Sequence, residues 1–122
     1  MSAFNLETAK IVGSPSKLFW SQTHIFSPKG EKKRALSGSL LTALSFKAKH
    51  EEIDITSFGK EIISRFHEIY YSSSEKKVLT RLKLSLKNLA DEFVEQVDLQ
   101  IIAAILIEKE NRLIGYFAIS GT

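Results

Sequence analysis

A short run of basic side chains in the first third of the chain could bind phosphate. The four residues are Lys29, Lys32, Lys33 and Arg34. Phosphate oxygens accept hydrogen bonds from Lys and Arg, but a phosphate site normally combines several convergent donors. The neighbouring Pro28 and Gly30 are typical of a turn. The sequence therefore favours a solvated hairpin turn over a phosphate site here, and both interpretations stay open.

A second cluster of charged residues is acidic. Glu51, Glu52 and Asp54 lie just after a predicted strand. Carboxylate oxygens are good ligands for hard divalent cations. Charged runs usually face water, so we expect a solvated loop rather than a metal site.

The three histidines do not form a recognisable site. His24, His50 and His67 lack the spacing of metal ligands, and no two of them are one helical turn apart. His67 is predicted on the flank of a helix, beside Phe66, in a structural or surface role. The chain has no cysteine, which excludes disulfides, thiolate metal sites and a Cys nucleophile. From the residues alone we predict no catalytic residue and no metal ligand.

Two strands are predicted in the N-terminal third. Residues 18–26 are rich in aromatic and β-branched side chains, and residues 39–46 are apolar enough for a central strand. Residues 27–30 form a predicted turn, followed by a loop over residues 31–38. Residues 1–16 alternate weakly and are expected to form an edge strand or a flexible tail.

Two amphipathic helices are predicted next. In the first, apolar residues recur at helical spacing, and Thr56 or Ser57 is the predicted N-cap. These apolar residues are Phe58, Ile62, Phe66 and Ile69. Three serines, residues 72–74, end this helix, and Ser74 is the predicted N-cap of the second. The apolar face of the second helix consists of Val78, Leu82, Leu86, Leu89 and Phe93. The short connection favours an antiparallel pair packed on one face of a sheet.

A β-hairpin is predicted at the end of the sequence, with residues 97–107 and 113–122 as strands and residues 108–112 as a polar turn. The first strand is apolar on both faces. One face carries Leu99, Ile101, Ala103, Ile105 and Ile107, and the other carries Ile102, Ala104 and Leu106. Such a strand needs a cover on both sides, and the helix pair provides only one. We therefore expect residues 1–122 to be a single domain that lacks part of its fold.

The predicted order of elements is β-β-α-α-β-β, an α+β fold in which an antiparallel sheet is layered with a helix pair. The hydrophobic fraction of 43% and the charged fraction of 25% are typical of a soluble globular domain. A net charge of +3 is too small to indicate nucleic-acid binding. No run approaches the ~20 apolar residues that span a bilayer, and the N-terminus does not resemble a signal peptide. We expect a cytoplasmic protein that binds neither nucleic acid nor membrane.

Three short segments, in this order of elements, resemble the N-terminal half of the metal-dependent protein phosphatase 2C family. Residues 25–34 resemble its early strand and turn, where a Ser, a Gly and an Arg precede Asn-Glu-Asp. Residues 38–46 resemble the strand that ends in Asp-Gly, and residues 99–122 resemble the hairpin that leads into Gly-Asp-Ser-Arg. The resemblance implies a sandwich of two antiparallel sheets with a helix pair on each outer side, of which this chain forms one half.

The sequence departs from this family where the family binds metal. Residues 35–38 read Ala-Leu-Ser-Gly instead of Asn-Glu-Asp, and Ser45 and Phe46 occupy the place of Asp-Gly. The family's two Mn or Mg ions need hard oxygen ligands, which help to activate the attacking water. The resemblance therefore implies a domain without that cofactor and without catalytic residues. It also makes Arg34 the candidate phosphate-binding residue, because an Arg in this region of the family helps to bind phosphate.

Two functional hypotheses remain. The first is a degenerate protein serine/threonine phosphatase 2C-like domain, non-catalytic, with a binding or regulatory role. The second is a small α+β interaction or scaffold domain that completes its sheet by homodimerisation, since an exposed apolar sheet face marks an interface. The expected partner is another protein or a second copy of the chain. A layered amidohydrolase fold is a third alternative, but the residues after Met1 offer no clear N-terminal nucleophile.

Overall fold

Four strands and two helices are present in the computed structural model, which describes residues 18–26 and 38–121. The elements are β1 (Phe19–Phe26), β2 (Ser39–Ala48), α1 (Ile55–Ser72), α2 (Val78–Phe93), β3 (Val97–Lys109) and β4 (Arg112–Ser120). The strands form one antiparallel sheet in the order β1-β2-β3-β4. This confirms the predicted α+β fold and its order of elements. The tail predicted at residues 1–16 and the turn predicted at residues 27–30 lie outside the described residues.

The two helices pack as a pair on one face of the sheet, as predicted. α1 lies over β1, and α2 lies over β3 and β4. Between the layers, Leu40, Ala103 and Ile105 are fully buried. The helices are also joined by an ion pair, in which Arg65 Nε lies 2.8 Å from Glu92 Oε2. The core of the domain is therefore the layer between the helix pair and the sheet.

The start of α1 differs from the prediction. Its N-cap is Asp54, whose Oδ1 accepts a hydrogen bond of 3.3 Å from the Ser57 backbone N–H. The second carboxylate oxygen accepts a hydrogen bond of 3.2 Å from the Ser57 hydroxyl. The predicted caps, Thr56 and Ser57, are wrong because both lie inside the first turn. A carboxylate at this place also favours the helix through the positive end of its dipole.

The predicted N-cap of α2, Ser74, is also wrong. The N-cap is Lys77, whose side chain makes no capping hydrogen bond. Arg81 Nε instead donates to the Glu75 carbonyl at 2.8 Å, which ties the first turn to the connection before it. Four of the five predicted apolar residues are buried, and Val78 is partly buried against the core.

A close contact between α1 and β1 depends on Gly59. A Cβ atom at this position would lie 2.6 Å from the Trp20 ring. The Trp20 side chain is 4% exposed, and its ring centroid lies 5.6 Å from that of Phe46. The helix backbone can therefore approach the sheet only because residue 59 has no side chain. Trp20 is therefore a core aromatic.

β3 and β4 form the predicted hairpin, but its turn is shorter. The strands pair as far as Lys109 and Arg112, and Glu110 and Asn111 form the turn with φ values of 51° and 61°. Positive φ at both central residues is the type I′ geometry, which matches the twist of the strands and suits Asn. The predicted five-residue turn is wrong because its outer residues continue the strands.

Candidate functional site

The sheet face opposite the helices is apolar and exposed. It consists of the odd-numbered residues of β1, β2 and β4 and the even-numbered residues of β3, and we call it the outer face. Ile102 is 50% exposed, Phe117 is 66% exposed and Ile119 is 72% exposed. Within the described residues, no helix or strand covers this surface. Large apolar side chains grouped in this way are typical of interaction surfaces.

Charge is confined to the two ends of the outer face. Lys47 and Asp98 are paired in the strand register at one end, and Glu108 lies near the other. The side chains between them are apolar or neutral polar. The centre of the outer face therefore offers shape and apolar area to a ligand, with no charge to bind an ion.

One row of the outer face runs from small to large side chains. It consists of Thr23, Ala43, Ile102 and Ile119, in the order of the strands. A shallow groove of about 480 Å³ crosses this row, and Ser21 and Ser45 also line it. In this row, the small side chains of β1 and β2 thus lie beside a ridge formed by the isoleucines of β3 and β4.

On the helix-covered face, the fold brings together two histidines that are distant in sequence. The rings of His24 on β1 and His67 on α1 have centroids 5.0 Å apart, and the Phe26 ring lies 4.7 Å from that of His67. Burial, and secondarily the neighbouring His24, lower the pKa of His67 to about 4. His67 is therefore neutral at pH 7. Sequence spacing could not reveal this contact, since it joins a strand to a helix; strand alternation, which puts His24 on the helix-covered face, was the only available signal.

The histidine pair is part of an aromatic cluster. Two histidines are too few ligands for a metal centre. The Phe26 and Tyr71 rings lie 5.2 Å apart, and the Tyr71 hydroxyl donates to the Gly38 carbonyl at 3.1 Å. Structural and catalytic zinc sites use three or four protein ligands. Over residues 18–26 and 38–121, no group of three or more His, Asp or Glu side chains is placed to hold an ion. The pair fixes the end of α1 against β1.

The acidic cluster consists of one structural residue and two residues exposed to solvent. Asp54 caps α1, whereas Glu51 and Glu52 are exposed in the turn that precedes it. His50 is exposed beside them. The solvated loop that the sequence favoured is confirmed for Glu51 and Glu52, whereas Asp54 has a structural role as the cap.

Ser45 and Phe46, which the sequence resemblance placed where the phosphatase 2C family has Asp-Gly, do not fit a divalent cation. Phe46 is 3% exposed and packs between Trp20 and Phe58, and Ser45 lies on the outer face. Neither residue supplies the carboxylate that a hard cation requires. Arg34 and residues 35–37 lie outside the described residues, so phosphate binding by Arg34 stays a prediction.

A polar groove of about 740 Å³ runs along the helix pair. Its lining includes Arg65, Asn88, Asp91 and Glu92. The Arg65 guanidinium is paired with Glu92 at 2.8 Å and with Glu68 at 3.3 Å. The two carboxylates already compensate the charge of Arg65, and Asp91 adds negative charge to the groove, so the groove does not favour an anionic ligand. The groove therefore presents weaker chemistry for binding than the outer face.

No family model, curated protein or solved structure matches this chain. The architecture itself defines the class: an α+β domain with an antiparallel sheet, a helix pair on one face and an apolar outer face. Neither α1 nor α2 combines the length and the apolar character that crossing a membrane requires.

Proposed function

We propose that this chain is a non-catalytic, phosphatase 2C-like binding domain whose binding element is the outer face. The observation that carries the proposal is the exposure of Phe117 and Ile119, at 66% and 72%, on the sheet face opposite the helices. Two sheets can pack face to face about 10 Å apart and bury such side chains between them. A partner that presents a second β-sheet therefore suits this surface. The helix pair on one face and an apolar second face are also what the resemblance implies for half of a sandwich.

The absence of catalysis in this proposal rests on residue chemistry. Ser45 and Phe46 cannot replace the carboxylates that hold the family's metal ions and activate water. We accordingly propose no cofactor. The lack of cysteine is compatible with a reducing compartment, and we propose a cytoplasmic location with a protein partner.

A scaffold domain unrelated to phosphatases is the second candidate. It uses the same outer face, and the groove beside the isoleucine ridge favours it, because a surface with both features can receive its own copy. The two candidates differ in ancestry rather than in the surface that binds.

The binding role is tested by the stability of the isolated chain at high dilution. We expect Phe117→Ser to leave the free energy of urea unfolding within about 0.5 kcal/mol of the wild-type value, because an exposed side chain contributes little to folding. Phe93→Ser is the matched control: Phe93 is 7% exposed in the core, so this change should cost at least about 3 kcal/mol. A comparable loss for Phe117→Ser in dilute protein would show that the outer face belongs to the chain's own core and would refute the proposal.

The non-catalytic part is tested by hydrolysis of a phosphoryl ester. The purified chain with Mn²⁺ or Mg²⁺ should release p-nitrophenol from p-nitrophenyl phosphate no faster than buffer containing the metal alone. Turnover that is proportional to protein concentration and removed by a chelator would contradict the proposal.

A further inference from the structure

We infer that the partner of the outer face is a second copy of this chain, related to the first by a two-fold axis parallel to the strands. This inference rests on the proposed function, since it takes the outer face as the binding surface, and it adds the occupant and its orientation. The observations that carry it are the size pattern of the side chains, the charge of the face and its area.

The size pattern makes the outer face complementary to itself. An axis parallel to the strands places β4 of one copy over β1 of the other, and β3 over β2. Along the row that crosses the groove, Ile119 then faces Thr23 and Ile102 faces Ala43. Each large side chain meets a small one, which is the condition for sheets that interdigitate at the density of a protein core.

The next row has the same property at its centre. It consists of Ile25, Leu41, Ala104 and Phe117, in the order of the strands. The same axis places Leu41 opposite Ala104, again a large residue against a small one. At the edge of the dimer it places Phe117 opposite Ile25, which adds apolar area.

An axis perpendicular to the strands gives a less favourable pairing. It lays β4 on β4 and β1 on β1 and reverses the order of the rows, so Ile119 would face Phe117, a large side chain against a large one. The axis parallel to the strands keeps each row opposite itself and places Lys47 of one copy opposite Asp98 of the other. This pairing of opposite charges at one end of the outer face favours the axis parallel to the strands.

Charge and area are consistent with a second copy. The centre of the outer face carries no charged side chain, so bringing two copies together there buries no unpaired charge. Four strands at about 4.8 Å spacing and eight residues at about 3.3 Å rise give about 500 Å² per copy in projection. The two copies then bury about 1,000 Å² in projection, which reaches the lower bound for a specific interface. The uneven surface of the side chains adds to this area.

The absence of natural cysteines allows a direct test by engineered cross-linking. Residues 23 and 119 lie on β1 and β4, three strand spacings or about 14 Å apart within one sheet, too far for an intramolecular disulfide. In the proposed dimer they face each other between copies. Facing residues of two packed sheets lie about 10 Å apart, which is too far for a disulfide. The double variant Thr23→Cys/Ile119→Cys should therefore be joined into a covalent dimer by a short bismaleimide, which reaches between facing sheets but not across three strand spacings of one sheet. Each single variant should stay uncross-linked.

The native association is measured by sedimentation across a wide range of protein concentration. The wild-type chain should form a dimer, and Ala43→Trp, which fills the groove on an exposed position, should weaken dimerisation at least about tenfold. Ala43→Ser keeps the groove open and should dimerise like the wild type. Far-UV circular dichroism of all variants confirms that each is folded.

The outcomes separate this inference from the proposed function. A chain that stays monomeric at every concentration overturns the second copy as partner, and a folded, unaffected Phe117→Ser variant then still supports an outer face that binds another protein. A dimer in which Thr23→Cys alone cross-links would mean β1 on β1, and it overturns the proposed axis. A dimer that Ala43→Trp does not weaken overturns the groove as its contact surface.

Discussion

The two faces of the sheet are similar in composition but differ sharply in exposure. β3 shows the difference within one strand: Ile105 is fully buried beneath the helices, whereas Ile102 on the outer face is 50% exposed. β4 shows it between neighbours, since Ala118 packs against the core and Phe117 is 66% exposed. Apolar content alone therefore does not identify the core face of a strand. The helix pair decides which face is core, and it covers only one.

The comparison also explains where polar groups are tolerated. Thr42 lies directly opposite His24 in the strand register and is 2% exposed on the helix-covered face. On the outer face the polar side chains along the groove are Ser21, Thr23, Ser45 and Gln100, all of them neutral. Buried polar groups carry a desolvation cost, whereas exposed ones do not. The stability that depends on the helix-covered face should thus vary with pH. The stability that depends on the outer face should vary with protein concentration.

The largest expected effect is the difference in stability loss between alanine variants of two isoleucines in β3. Ile105→Ala should destabilise the chain by about 2–5 kcal/mol, because it removes a fully buried side chain and leaves a cavity. Ile102→Ala should cost less than about 1 kcal/mol in dilute protein, since its side chain is half exposed. Urea unfolding of both variants measures the difference. Equal losses would mean that the two faces are equally part of the fold.

A loss of stability in acid should follow from His67. Its pKa is lowered to about 4 in the folded chain by burial and by His24, while the unfolded chain has the ordinary value of 6.5. The unfolded state therefore binds the proton first as the pH falls. Stability should be complete above pH 6.5 and should fall on lowering the pH to 4, by about 2 kcal/mol, because the side chain is only partly buried and solvent screens part of the shift.

The control for this effect is His67→Leu, which keeps an apolar side chain in the aromatic cluster and removes the titrating group. Urea unfolding at a series of pH values should show a clearly smaller loss between pH 6.5 and 4 in this variant than in the wild type. An unchanged pH profile would rule out His67 as the source of the acid sensitivity.

A smaller loss is expected for Gly59→Ala in α1. Alanine normally favours a helix over glycine by about 1 kcal/mol. Here its Cβ would lie 2.6 Å from the Trp20 ring, so the change should instead destabilise the chain by about 1–2 kcal/mol. Ser64→Ala, on the exposed side of the same helix, is the control and should be neutral or slightly stabilising. Thermal unfolding distinguishes them, and a more stable Gly59→Ala chain would contradict the close contact.

The smallest effect concerns the cap of α1. Asp54→Ala removes the acceptor of the Ser57 hydrogen bonds and should cost about 1 kcal/mol. Glu52→Ala changes an exposed carboxylate two positions earlier and should stay within about 0.5 kcal/mol of the wild type. If both variants lost the same stability, general charge rather than capping would be responsible.

The sequence was sufficient to predict the elements that repeat a simple period. The stripe containing Ile62 and Phe66 predicts α1, and both residues are fully buried in the structure. The apolar runs near the end predict the hairpin and its two apolar faces. Periodicity works here because the helix pair and the sheet interior impose it on local sequence.

The parts that could not be predicted depend on single hydrogen bonds or on distant contacts. Asp54, Thr56 and Ser57 are all suitable N-caps, and only the backbone position of the helix selects Asp54. The meeting of His24 with His67 depends on how α1 packs on β1, which no local pattern contains. The groove on the outer face likewise needs the register of all four strands.

The most direct test of the outer face as an interface between copies is the dependence of the melting temperature on protein concentration. Association that occurs only in the folded state raises the melting temperature as the protein becomes more concentrated. The wild-type chain should therefore melt at a higher temperature in concentrated than in dilute solution, and Ala43→Trp should show a clearly smaller difference between the two. A wild-type melting temperature that does not change with concentration would contradict an outer face that pairs with its own copy.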